Sequence, residues 1–70
     1  MANDVKKRFG KRLADIRNKK GWSQETLALE SGIARSYLSG IETGKRNVAL
    51  VNICKLADTL KVSVGYLMDI

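Results

Sequence analysis

The stretch Ser23-Gln24-Glu25-Thr26-Leu27-Ala28-Leu29-Glu30-Ser31-Gly32-Ile33-Ala34-Arg35-Ser36-Tyr37-Leu38-Ser39-Gly40-Ile41 decides the fold. Ser23 is a good N-cap, and Glu25 follows in a first turn where the helix dipole favours negative charge. The pattern predicts a short helix over about Gln24 to Ser31, with Leu27, Ala28 and Ser31 turned inward. Gly32 ends it, because glycine reaches backbone conformations that cost other residues energy. Ile33 follows, and a second helix is predicted from about Arg35 to Thr43 with Leu38 and Ile41 inward. Ala34 stands where an N-cap is wanted and has no side chain to cap with, so this start is the weaker one. Both helices are short, so tertiary packing must hold them.

Working outward, Val5, Phe9, Leu13 and Ile16 are spaced 4, 4 and 3 apart, one face of a helix over about Asp4 to Lys19. Lys19 and Lys20 complement its C-terminal dipole, and Gly21 can stop it. Trp22 reads as a core residue rather than a stacking platform. Beyond the central pair, Lys45-Arg46-Asn47 form a polar loop. A fourth helix is expected over about Leu50 to Leu60, with Leu50, Ile53, Leu56, Ala57 and Leu60 inward. Ser63 caps a short last helix through about Leu67. The expectation is all-α: a compact five-helix bundle forming a single domain over residues 1–70.

Composition narrows the function. The chain has 70 residues, no His, no Pro and one Cys. Zinc fingers, Ser/His/Asp triads and Cys/His nucleophile pairs are therefore excluded, and no enzyme, metal site or cofactor is expected. A single Cys cannot form an internal disulfide, which fits a reducing cytoplasm. No targeting segment is visible, and the longest apolar run, Val48-Ala49-Leu50-Val51, is far too short to span a bilayer.

The balance of 13 basic and 7 acidic residues gives +6. That suggests an acidic polymer or anionic surface as partner. Residues 1–20 carry the whole excess: Lys6, Lys7, Arg8, Lys11, Arg12, Arg17, Lys19 and Lys20 against Asp4 and Asp15. These charges read either as a nucleic-acid-facing patch or as a solvated helix face.

The central pair is a helix-turn-helix over about residues 24–43. Apart from its core anchors, the second helix presents Arg35, Ser36, Tyr37, Ser39 and Gly40, with no acid until Glu42. A helix entering the DNA major groove needs such a face. Arg reads guanine, hydroxyls meet bases or phosphates, and small residues permit close approach.

Residues 8–67 resemble the Cro/phage-repressor type, or Xre family, of lambda-repressor-like DNA-binding domains. The resemblance lies in Leu13-Ala14-Asp15-Ile16-Arg17, Ser23-Gln24-Glu25-Thr26-Leu27-Ala28, Ser31-Gly32-Ile33, Ser36 to Arg46, and Leu56-Ala57-Asp58-Thr59-Leu60-Lys61-Val62. Arg35-Ser36-Tyr37 with Gly44-Lys45-Arg46-Asn47-Val48 is similar, more narrowly, to restriction–modification controller proteins, which are compact dimers. The family's usual Ser or Thr at the third N-cap is Ala34 here, and its usual Pro before the fourth helix is Val48.

The resemblance implies base contacts from Arg35, Ser36, Ser39 and Gly40. It implies phosphate contacts from Gln24, Tyr37, Thr43, Lys45, Arg46 and Asn47. It implies a structural ion pair between Arg17 and Glu42, and a contact from exposed Glu25 to RNA polymerase. The implied function is a prokaryotic or phage-encoded, cytoplasmic transcriptional regulator that binds double-stranded DNA at a pseudo-palindromic operator. An antitoxin-type interaction module with secondary DNA binding is the alternative. A basic helix lying on an anionic membrane is a weaker one, because Val5, Phe9, Leu13 and Ile16 are needed for the core.

Val48, Val51, Cys54, Val64, Tyr66, Leu67 and Ile70 are more apolar residues than so small a core should absorb. Either they close the bundle, or helices over about residues 50–68 build a two-fold homodimer. Cys54 reads as a small apolar filler or an interface residue.

Overall fold

The computed structural model describes residues 2–70, with side chains from residue 5 onward. Five helices follow one another: α1 (Ala2–Lys19), α2 (Gln24–Ser31), α3 (Arg35–Glu42), α4 (Leu50–Leu60) and α5 (Val64–Leu67). There is no strand among the described residues. α1 begins two residues before the expected Asp4, and Thr43 caps α3 rather than extending it.

Caps mark two of the helix starts. Ser23 Oγ accepts from the Thr26 amide at 3.1 Å, and Ser63 Oγ accepts from the Tyr66 amide at 3.0 Å. Ala34 and Ala49, at the starts of α3 and α4, make no side-chain cap. Gly32 closes α2 with φ +73°, its backbone N–H donating a hydrogen bond to the Ala28 carbonyl, a left-handed turn that suits glycine. α4 ends in the same conformation at Lys61, φ 58°, where no glycine marks the stop.

The core combines Phe9, Leu13 and Ile16 of α1 with Leu27 of α2, Ile33 of the turn, and Leu38 and Ile41 of α3. Ile53, Leu56, Ala57 and Leu60 of α4 and Leu67 of α5 complete it. α3 packs between α1 and α2, α4 packs on α2 and α5, and α5 returns to α1. The α1–α3 crossing is tight at Gly10, which is buried: a Cβ there would run into the backbone carbonyls of Ile41 and Glu42.

Three apolar assignments change. Leu50, expected inward, is 73% exposed at the first position of α4. Val5 is about half exposed. Periodicity assigns a residue to a helix face but cannot say whether another element reaches that end of the helix. Leu67, expected on a dimer surface, is instead fully buried in the chain's own core and offers nothing to a second copy. Trp22 is partly buried against the core, with the Lys20 ammonium 5.1 Å from its ring centre.

Candidate nucleic-acid interface

α3 divides cleanly by exposure. Leu38 and Ile41 are buried, while Arg35 and Ser36 are exposed and Tyr37, Ser39 and Gly40 are half-buried. Gln24 at the start of α2 joins Arg35, Ser36 and Ser39 around one shallow depression. That depression mixes donors and acceptors and carries the positive charge of Arg35, the equipment for base edges and phosphates.

The face is held by a polar junction of three helices. Arg17 of α1 meets Glu42 of α3 at two points, Nε to Oε2 at 2.8 Å and Nη2 to Oε1 at 2.9 Å. Arg17 Nη1 also donates to the Trp22 carbonyl at 2.7 Å and to Asn18 Oδ1 at 3.2 Å. Gln24 Nε2 donates to Glu42 Oε1 at 2.9 Å, which brings α2 into the same junction. The side chains of Arg17 and Glu42 are only 12% and 6% exposed. Hydrogen bonding to the Glu42 carboxylate raises the Arg17 pKa above its ordinary value, with burial opposing and the carboxylate charge assisting.

The loop after α3 folds back on that helix. The Gly40 carbonyl accepts from the Lys45 and Arg46 amides at 2.9 and 3.2 Å. Thr43 Oγ1 donates to the Ser39 carbonyl at 2.9 Å, so its hydroxyl proton is spent inside the turn. Tyr37 Oη donates to the Asn47 carbonyl at 3.1 Å and accepts from the Ala49 amide at 3.3 Å. The Arg46 guanidinium carbon lies 5.5 Å from the centre of the Tyr37 ring, within cation–π range. Lys45, Arg46 and Asn47 are exposed. On the α1 side, Gly44 (φ +77°) faces Lys7, whose Cγ lies 2.6 Å from where a Cβ would stand.

The expected residues thus lie on α3, the start of α2 and the loop: Gln24, Arg35, Ser36 and Ser39 share one depression, while Arg46 and Asn47 line a second, largely apolar hollow with Val5, Phe9 and Val48. Several of them also hold one another in place, which sequence reasoning missed. Spacing shows that Gln24 opens a helix, not that its amide reaches a carboxylate eighteen positions away. The basic run of α1 is divided. Arg8 donates to the Ile70 carbonyl, and Arg12 donates to the Tyr66 carbonyl at 3.1 and 2.9 Å, its guanidinium 4.3 Å from the Tyr66 ring centre. Lys11 pairs with Asp15 on the exposed side. Part of the N-terminal charge therefore fastens α5 to α1.

Elsewhere, Leu50, Val51, Cys54, Val64 and Tyr66 are exposed on α4 and α5, whereas Val48 and Ile70 are partly buried against the core. Glu25 is exposed on α2. No helix among the described residues is long and apolar enough to cross a membrane.

A capped helix, a glycine turn and a second helix with a polar outer face define a helix-turn-helix protein that binds double-stranded DNA. Residues 13–67 match the helix-turn-helix family, and the chain belongs to it. It is 44% identical over 68 residues to control protein C.MunI of a Mycoplasma species, covering 96% of this chain and 92% of that protein. It is 43% identical over 70 residues to control protein C.BamHI of Bacillus amyloliquefaciens, covering 99% and 86%. The crystal structure of the restriction-modification controller protein C.AhdI from Aeromonas hydrophila superposes with a TM-score of 0.89 at 52% identity, covering 94% of each chain. The family is one of DNA-binding regulators, not of enzymes.

Proposed function

We propose that this chain is a transcriptional regulator of the controller type, acting as a homodimer on a pseudo-palindromic operator in the prokaryotic cytoplasm. The observation that carries the reading is the polar depression lined by Gln24, Arg35, Ser36 and Ser39, with exposed Lys45, Arg46 and Asn47 on the loop that folds back on α3. Its similarity to control proteins over nearly their whole length supports the controller role over an antitoxin-type module. α3 enters the major groove. Arg35, Ser36 and Ser39 meet base edges, while Gln24, Lys45, Arg46 and the backbone around Asn47 meet phosphates.

The exposed apolar residues of α4 and α5, chiefly Leu50, Val51 and Val64, are where a second copy docks. A two-fold dimer presents two α3 helices roughly 34 Å apart, the spacing of successive major-groove turns. Glu25, exposed on α2 beside the DNA face, supplies an acidic contact to RNA polymerase.

Selection of bound duplexes from a random pool tests the reading. The expected result is enrichment of two inverted half-sites with centres about ten base pairs apart. Enrichment of a lone half-site would overturn the dimeric arrangement, and no enrichment would overturn sequence-specific binding.

A further inference from the structure

We propose that Gly40 and Tyr37 are positioning residues for Arg46, and that together they fix the loop after α3 as a pre-formed phosphate clamp. The inference rests on the DNA-binding reading above. It assigns to Gly40 a task other than touching a base, and to the Tyr37 hydroxyl a task other than touching a phosphate.

The aliphatic stem of Arg46 lies directly over Gly40. A Cβ on Gly40 would stand 2.6 Å from Arg46 Cγ and 3.4 Å from its Cδ and Nε. Only a residue without a side chain leaves that path open. The Gly40 carbonyl, accepting from the Lys45 and Arg46 amides, sets the backbone from which Arg46 springs. The far end of the path is set by Tyr37. Its ring faces the guanidinium at 5.5 Å, and its hydroxyl ties down both Asn47 and Ala49. An arginine on a free loop loses rotamer entropy on gripping a phosphate. One already laid along a glycine and against an aromatic ring has lost much of it beforehand.

The helix interior itself has no use for glycine at position 40, since alanine is the better helix former. Clearance for Arg46 accounts for it. Gly40→Ala is therefore expected to leave the fold intact, with a thermal midpoint equal to or above that of the parent, while Arg46 is displaced from the clamp.

The experiment measures binding to a random-sequence duplex about three helical turns long, between about 50 and 200 mM salt. The chains compared are the parent, Gly40→Ala, Arg46→Ala, the Gly40→Ala/Arg46→Ala double variant and Tyr37→Leu. Arg46→Ala is expected to reduce the salt slope by about 0.9 per bound subunit. Gly40→Ala and Tyr37→Leu should shift the slope in the same direction, and the double variant should bind no more weakly than Arg46→Ala. A parental slope in Gly40→Ala overturns the proposal, as does a double variant weaker than Arg46→Ala, which would mean that the Cβ obstructs DNA directly. If Gly40→Ala fails to fold, a parental slope in Tyr37→Leu has the same force. A parent chain that binds no duplex removes the DNA-binding reading itself, and the clamp with it.

Discussion

Arg17 and Glu42 join the first and third helices through two parallel hydrogen bonds of 2.8 and 2.9 Å, with little solvent access to either side chain. Glu42 is the last residue of α3, so this pair and its Gln24 branch set the tilt of that helix against α1 and α2. Removing one partner leaves a nearly buried charge short of its counter-ion, which costs about 3–5 kcal/mol. That is a large share of the stability of so small a domain. Replacing both with apolar residues of similar size should recover much of the loss yet weaken operator binding, because the helix is no longer held in register. A urea double-mutant cycle, with DNA affinity measured on each variant, checks both halves. A coupling energy near zero would show that the side chains act separately. While Glu42 is ionised, the raised Arg17 pKa means that the guanidinium's contribution is present below the ordinary arginine value and is lost as pH climbs through the higher folded value.

Arg35 is exposed at the first position of α3 and lines the depression with Gln24, Ser36 and Ser39. Arg35→Ala should cost about 1–3 kcal/mol on the selected operator and relax base preference at one position in each half-site. Binding to random duplex should change much less. An equal loss on both would make Arg35 a backbone contact.

The periodicities of α1 and α3, the Ser23 and Ser63 caps and the Gly32 turn were all legible from residue type and spacing, and so was the polar face of α3. What escaped was whatever depends on the distance between elements. Gly10 reads as an unremarkable glycine until α1 is laid across α3. Leu67 and Leu50 exchange their expected places, since an apolar residue at a helix end has equal claims to core and interface until the packing is seen. Arg8 and Arg12 look like DNA-facing charge until α5 is found beneath them.

The exchange of Leu50 and Leu67 yields a paired test of the dimer. Val51→Asp on the exposed face of α4 should leave the helical signal intact while converting a dimer to a monomer in sedimentation equilibrium, with a matching loss of operator affinity. Leu67→Asp should instead unfold the chain, because an unpaired charge would enter the core. A Val51→Asp chain that still sediments as a dimer would move the interface off α4.

Lys61 holds a left-handed conformation at the end of α4, with its amide bonded to the Asp58 carbonyl at 3.2 Å and the Val62 amide bonded to Ala57 at 3.0 Å. The conformation disfavours a Cβ, while glycine adds freedom to the unfolded chain. The steric relief should win by up to about 1 kcal/mol. Lys61→Gly is thus expected to raise the urea midpoint without altering the slope of the transition. A lower midpoint would show that the lysine side chain contributes more than its backbone costs.

Gly10 and Gly40 are both interior helix glycines, and alanine at either gains about 1 kcal/mol of helix propensity. Their surroundings reverse the outcome. At Gly10 the new methyl meets the carbonyls of Ile41 and Glu42, backbone that cannot turn aside, and forcing the helices apart costs about 1–3 kcal/mol. At Gly40 it meets the stem of a surface arginine that can swing away. Gly10→Ala should therefore lower the thermal midpoint and, by shifting α3, weaken DNA binding as well, whereas Gly40→Ala should weaken binding at undiminished stability. Melting curves and duplex affinities on the two variants separate the cases. A Gly10→Ala chain as stable as the parent would mean that the α1–α3 crossing is looser than this geometry makes it.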